Sequence, residues 1–140
     1  MKAFVLNAQT TLAWCFEDET TAATEALLDA LGKGGVAHVP TLWPYEVANV
    51  LLSAERQKKP RSNAARAESF LGRLAALPIV IDAESTRHAH GKTIVLGRQH
   101  KLTASDAAYL ELALRRGVPL ATNDAALRQA AKAAGVPLVW

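Results

Sequence analysis

The stretch "LTASDAAYLELALRRGVPLATND", Leu102–Asp124, decides how the rest of the chain is read. Thr103 is a helix-capping residue type, because its short side chain can accept from a backbone N–H that the first turn leaves unpaired. Apolar residues follow at 107, 110, 112 and 114, a helical pattern. Gly117 closes the helix, and "VPLAT" is a short apolar run of strand character. A further helix, "DAALRQAAKAAG", begins at once. Helix, strand and helix in direct succession predict a crossover unit of the α/β class.

The same alternation extends in both directions. "AFVL", "VAHVP" and "PIVI" read as three earlier strands, and "VPLVW" as a fifth. Between the strands lie a short helix from "TLAWCF", an amphipathic helix in "ETTAATEALLDALGKGG", and "WPYEVANVLLSAERQKK", with Pro44 in the first turn where proline is tolerated. "SNAARAESFLGRLAAL" follows, capped by Ser62 or Asn63, and then a helix from about Ala83 to His100. Strands joined through helices predict a central parallel sheet of about five strands with helices on both faces. No linker, repeat or low-complexity run interrupts residues 1–140, so they read as a single domain.

Composition narrows the setting. Cys15 is the only cysteine, which excludes an internal disulfide and suits a reducing compartment. Only a few apolar residues precede Asn7, too few for a signal-peptide core, and no apolar run approaches the roughly 18 residues of a membrane span. A cytoplasmic protein with no membrane partner is the expectation. Sixteen Lys and Arg against thirteen Asp and Glu give a net charge of +3. Arg56, Lys58, Lys59, Arg61, Arg66 and Arg73 face a single acid, Glu68. Such a run is either a solvated helix face or a surface for phosphates. Trp14, Trp43, Tyr45 and Tyr109 could stack on bases, although core or interface packing is the safer assignment for each.

Three acids sit awkwardly. Glu46 is set among large apolar residues in "WPYEVANVLL", where the helix dipole would favour a carboxylate near the N-terminus. Asn49 shares its face. Asp106 stands three residues after Thr103, a spacing like that of a capping box, and Asp124, or Asn123 beside it, could simply cap the last helix. Taken singly, each has a structural explanation. Taken together, Asn7, Glu46 and Asp124 follow the first, second and fourth strands, and Asp106 opens the helix leading into the fourth. The carboxyl ends of parallel strands lie on one edge of the sheet, so the four can converge. Two like charges 4 Å apart at an effective dielectric near 20 cost about 4 kcal/mol, so a divalent cation is expected among them. Oxygen donors without a His or Cys pair point to Mg²⁺ or Mn²⁺ rather than zinc.

The chain resembles the PIN-domain family, and within it the VapC-type ribonuclease toxins of toxin–antitoxin pairs. The likeness rests on "FVLNAQTTLAWCF", "EVANVL" and "LTASDAAYLELALRRGVPLATND", in that order, with a closing helix and strand. It implies a single PIN-like domain and a Mg²⁺-dependent endoribonuclease cleaving structured RNA such as tRNA or rRNA. It also implies a homodimer and a cognate VapB-type antitoxin. The family's four acidic positions correspond to Asn7, Glu46, Asp106 and Asp124, which would be the catalytic and metal-holding residues, with Asn49 and Thr122 in support. Asn7 departs from the pattern: the family has Asp there, and a neutral amide weakens cation binding. The chain is therefore expected to be impaired in cutting. Either an Asp→Asn change has disarmed a nuclease, which is favoured, or the amide is natural to a non-catalytic module binding RNA or antitoxin. A receiver-like signalling domain is a remote alternative, since Asp82 follows "PIVI" but no acid pair follows "AFVL".

Overall fold

The computed structural model describes residues 2–140. Four parallel strands form one sheet in the order β3-β2-β1-β4: β1 Ala3–Leu6, β2 Val36–Pro40, β3 Ile79–Asp82 and β4 Leu120–Ala121. Phe4, Val5 and Leu6 are wholly buried, the continuous apolar character expected of a strand covered on both faces. β1 pairs with β2 through Ala3–Val36, and with β4 through Val5–Leu120 and Leu6–Ala121. Both neighbours therefore run alongside the strand that ends at Asn7.

Among the described residues, eight α-helices connect and cover the strands: α1 Ala8–Thr11, α2 Ala22–Gly32, α3 Trp43–Arg56, α4 Ala64–Ala75, α5 Ser85–His88, α6 Lys92–His100, α7 Ala104–Arg116 and α8 Ala125–Ala133. Asn63, Thr103 and Asp124 each accept from a backbone N–H in the first turn of α4, α7 and α8. The α/β class and the parallel sheet agree with the sequence-based expectation. Three details differ. "VPLVW" supplies only an isolated bridge, Leu138 with Leu120, because Pro137 has no N–H and β4 offers only two residues for pairing. The helix expected from about Ala83 to His100 is two helices, parted at Gly91 (φ −113°, ψ −105°), a conformation outside the helical region. Finally, α7 is more central than its apolar spacing suggests: Tyr109 to Ala113 are all buried, Glu111 included, while Leu114 is half-buried. At its end Gly117 takes φ +65°, the left-handed cap that glycine adopts without a Cβ penalty.

Candidate active site

Each candidate side chain stands where a strand ends or a helix starts. β1 hands the chain to Asn7, whose backbone N–H donates to the Ala121 carbonyl of β4 (3.2 Å). The Asn7 Oδ1 accepts from the Thr10 N–H at 3.3 Å and so caps α1. An amide has one oxygen, and here it faces the helix turn; the Nδ2 end therefore points the other way. Thr11 Oγ1 donates to the Asn7 carbonyl (2.9 Å) and accepts from Trp43 Nε1 (3.2 Å), which fastens α1 to α3.

Glu46 lies in the first turn of α3. Tyr109, wholly buried on α7, donates its hydroxyl to Glu46 Oε1 at 2.5 Å. Asp106 lies in the first turn of α7, its N–H donating to Thr103 Oγ1 (3.2 Å). Asp124 caps α8, its Oδ2 accepting from Leu127 N–H (2.8 Å), and its own N–H donates to the buried Thr122 Oγ1 (3.0 Å). Asn123 N–H donates to Thr10 Oγ1 (3.1 Å), tying the loop after β4 to α1.

These turns meet around a cavity of about 350 Å³. Asn7, Glu46, Asn49, Asp106 and Asp124 line it, together with Gln9. Thr122 is not in the lining; it sits beneath and holds the backbone of Asp124. Among the described residues, no Lys or Arg lines the cavity. The positive ends of α3, α7 and α8 converge there instead, each favouring a carboxylate in its first turn by about 0.3–1 kcal/mol. That falls short of neutralising three charges. Burial pushes the Asp106 carboxyl above its usual range, with the charge of Asp124 adding to the effect and Thr103 opposing it. Burial also raises Glu46, opposed by the Tyr109 hydrogen bond and reinforced by Asp106.

The donor set is made of oxygen and suits a hard divalent ion in kind. Among the described residues, however, no three His, Cys, Asp or Glu side chains stand close enough to share one ion. Mg²⁺ usually takes one or two carboxylates and keeps several waters. Asp106 with Asp124, and Glu46 across the cavity, fit that habit. Asn7 fits it less well, since its one oxygen is neutral and already accepts from the Thr10 N–H.

Other sequence-level candidates lie elsewhere. Arg61 pairs with Asp18 and Glu19 (both 2.8 Å) and lies over the Phe16 ring. With Arg66 and Arg73 it borders a groove of about 530 Å³ beside Cys15, which shares no lining residue with the acid cavity. Of the four aromatic residues considered for stacking, Trp43 and Tyr109 are buried and half-buried Trp14 donates to the Thr24 carbonyl (2.8 Å). Tyr45 alone of these is well exposed, at 77 %. Asp82, the residue on which a receiver-like reading leaned, is locked by Arg115 (2.6 Å) and Arg116 (3.3 Å).

The chain matches the family model described as "PIN domain" over residues 5–133. Compared by sequence with curated proteins, it matches none. Among solved structures it is similar to VapBC2 from Rickettsia felis bound to a DNA fragment from their promoter. That match has a TM-score of 0.63 and 15% identity, covering 97% of this chain and 96% of the other. It is also similar to FitAcB from Neisseria gonorrhoeae, with a TM-score of 0.59 and 16% identity over 96% and 95% of the two chains. At such identities the structural matches bear on the fold.

Proposed function

The chain belongs to the PIN domain family, and from that premise we propose that its acid cavity is the active site of a divalent-metal-dependent endoribonuclease of the VapC toxin type, blunted at Asn7. The observation that carries this reading is the cavity itself: four positions far apart in sequence, 7, 46, 106 and 124, line one recess at the carboxyl edge of the sheet. Asp106 would hold the cation directly, with Glu46 or Asp124 joining it directly and the other reaching it through water, and with Asn49 beside it. Mg²⁺, or Mn²⁺ in its place, supplies when bound a water of lowered pKa and positive charge against the phosphate. Glu46, with Oε1 engaged by Tyr109, would offer its other oxygen to the cation or to a water of its shell. Thr122 and Thr103 fix the backbones from which Asp124 and Asp106 project. In the reaction, water adds to phosphorus, the bridging P–O bond breaks, and the proton leaves with the departing oxygen. The substrate is RNA with an exposed, bendable phosphodiester, structured tRNA or rRNA included, and the protein works in the cytoplasm.

The partner in this reading is a VapB-type antitoxin, as the VapBC2 similarity suggests, and the toxin pairs with a second copy of itself. The test is incubation of the chain and of Asn7→Asp with total bacterial RNA, in Mg²⁺ and in EDTA. Asn7→Asp is expected to cut in Mg²⁺ and not in EDTA, and the parent far more slowly. If neither form cuts, the nuclease reading fails. A second reading, a non-catalytic module that binds RNA or antitoxin, is favoured by one observation: position 7 brings a neutral amide, serving as the cap of α1, to the cavity. Binding by both forms without cleavage by either is its signature.

A further inference from the structure

Tyr109 is among the largest wholly buried side chains of the protein, and its hydroxyl reaches out of the core to a carboxylate on the cavity wall. A buried phenol needs a partner, and this one has taken Oε1 of Glu46 at 2.5 Å, within the short range of a charge-assisted O–H···O⁻ bond. The phenol's one hydrogen bond is to Glu46, so its hydroxyl proton is directed at that carboxylate. The carboxylate therefore arrives at the cavity with one oxygen engaged and one to offer. Its long side chain is held from both ends, by the helix at its Cα and by the phenol at its tip.

We propose that Tyr109 is a positioning residue that restricts Glu46 to one-oxygen coordination and thereby biases the cavity towards Mg²⁺ over Ca²⁺. The chemistry is that of the two ions. Mg²⁺ demands near-octahedral geometry with short, single-oxygen ligands, whereas Ca²⁺ accepts six to eight oxygens and takes bidentate carboxylates readily. A phenol fixed in the core cannot follow a carboxylate that swings round to chelate, so chelation breaks a buried hydrogen bond and strands its donor. The smaller ion asks for no such break. Partners of this kind behind a ligand typically change metal affinity by 10–100-fold when removed.

This inference rests on the cavity's being a cation site, and the experiment separates the two. Mn²⁺ is bound to the full chain and followed by electron paramagnetic resonance, and Mg²⁺ and Ca²⁺ are titrated in as competitors. The parent is expected to prefer Mg²⁺. Tyr109→Phe, folded by circular dichroism, is expected to raise the Ca²⁺-to-Mg²⁺ affinity ratio about tenfold, while Glu46→Gln with Tyr109→Phe shows no rise over Glu46→Gln alone. An unchanged ratio in Tyr109→Phe overturns the positioning role and leaves the cation site standing. Failure of the parent to bind Mn²⁺ removes both. If Tyr109→Phe does not fold, the parent's Tyr109 hydroxyl proton gives the answer by NMR: it is expected to stay protected at saturating Mg²⁺, and its loss overturns the proposal.

Discussion

Two groups of carboxylates in this protein have opposite fates. In the cavity, Glu46, Asp106 and Asp124 meet without a basic side chain, and burial pushes Glu46 and Asp106 up. Asp82, at the end of β3, and Glu111, on α7, are more deeply buried, yet each is matched. Arg115 spans both, at 2.6 and 2.7 Å, Arg116 joins Asp82, and Ser85 donates to it at 3.0 Å. There the Arg115 hydrogen bonds hold Asp82 well below its usual range, at about 2, against the opposing effect of burial. Burial alone therefore does not mark a functional acid. What sets the cavity acids apart is burial left unmatched by any side-chain cation.

The contrast can be broken or sharpened by four measurements. The largest effect is expected from Arg115→Ala, which strands Asp82 and Glu111 together and should cost about 3–5 kcal/mol in urea unfolding. A loss under 1 kcal/mol would demote the network to a surface feature. Next is acid titration. The depressed Asp82 contributes stability that is fully present above pH 3.8 and lost as pH falls towards 2. Unfolding free energies between pH 4.5 and 2 should show a loss of about 2 kcal/mol that Asp82→Asn flattens. Third, Asn7→Asp adds a charge to the unmatched group. In EDTA it should lower stability by about 1 kcal/mol, and it should enlarge the rise in melting temperature on adding Mg²⁺. Identical metal responses in the two forms would take position 7 out of the site. The smallest effect has the opposite sign: Asp106→Asn should leave stability in EDTA unchanged or raise it by up to about 1 kcal/mol, as Asp106 loses its repulsion with Asp124. A clear loss would mean that the cavity acids are structural after all.

Local signals carried much of this architecture. Thr103, Asn63 and Asp124 are capping types and do cap, and the alternation of apolar runs with helical stretches yielded the parallel sheet. Convergence of positions 7, 46, 106 and 124 follows from topology, because each stands at the carboxyl edge. Long-range pairing was not legible. Glu111 and Arg115 are one helical turn apart and could be paired on spacing alone, but nothing local announces that Asp82 joins them from 33 residues away. Tyr109 was assigned to packing, which it does, and its bond to Glu46 spans 63 residues. A clue existed: Tyr109 lies three residues beyond Asp106 and so shares its face of α7. The missing fifth strand turned on the absent N–H of Pro137, and the interrupted helix on the backbone at Gly91.

The cap at the start of α1 has a consequence for how position 7 can vary. What the one-turn helix requires of that residue is an acceptor for the Thr10 N–H, and a carboxylate and an amide both supply one. The cap cannot tell Asp from Asn; the charge balance of the cavity can. An exchange of amide for carboxylate at this spot thus keeps the cap of α1 and alters only the charge presented to the cavity.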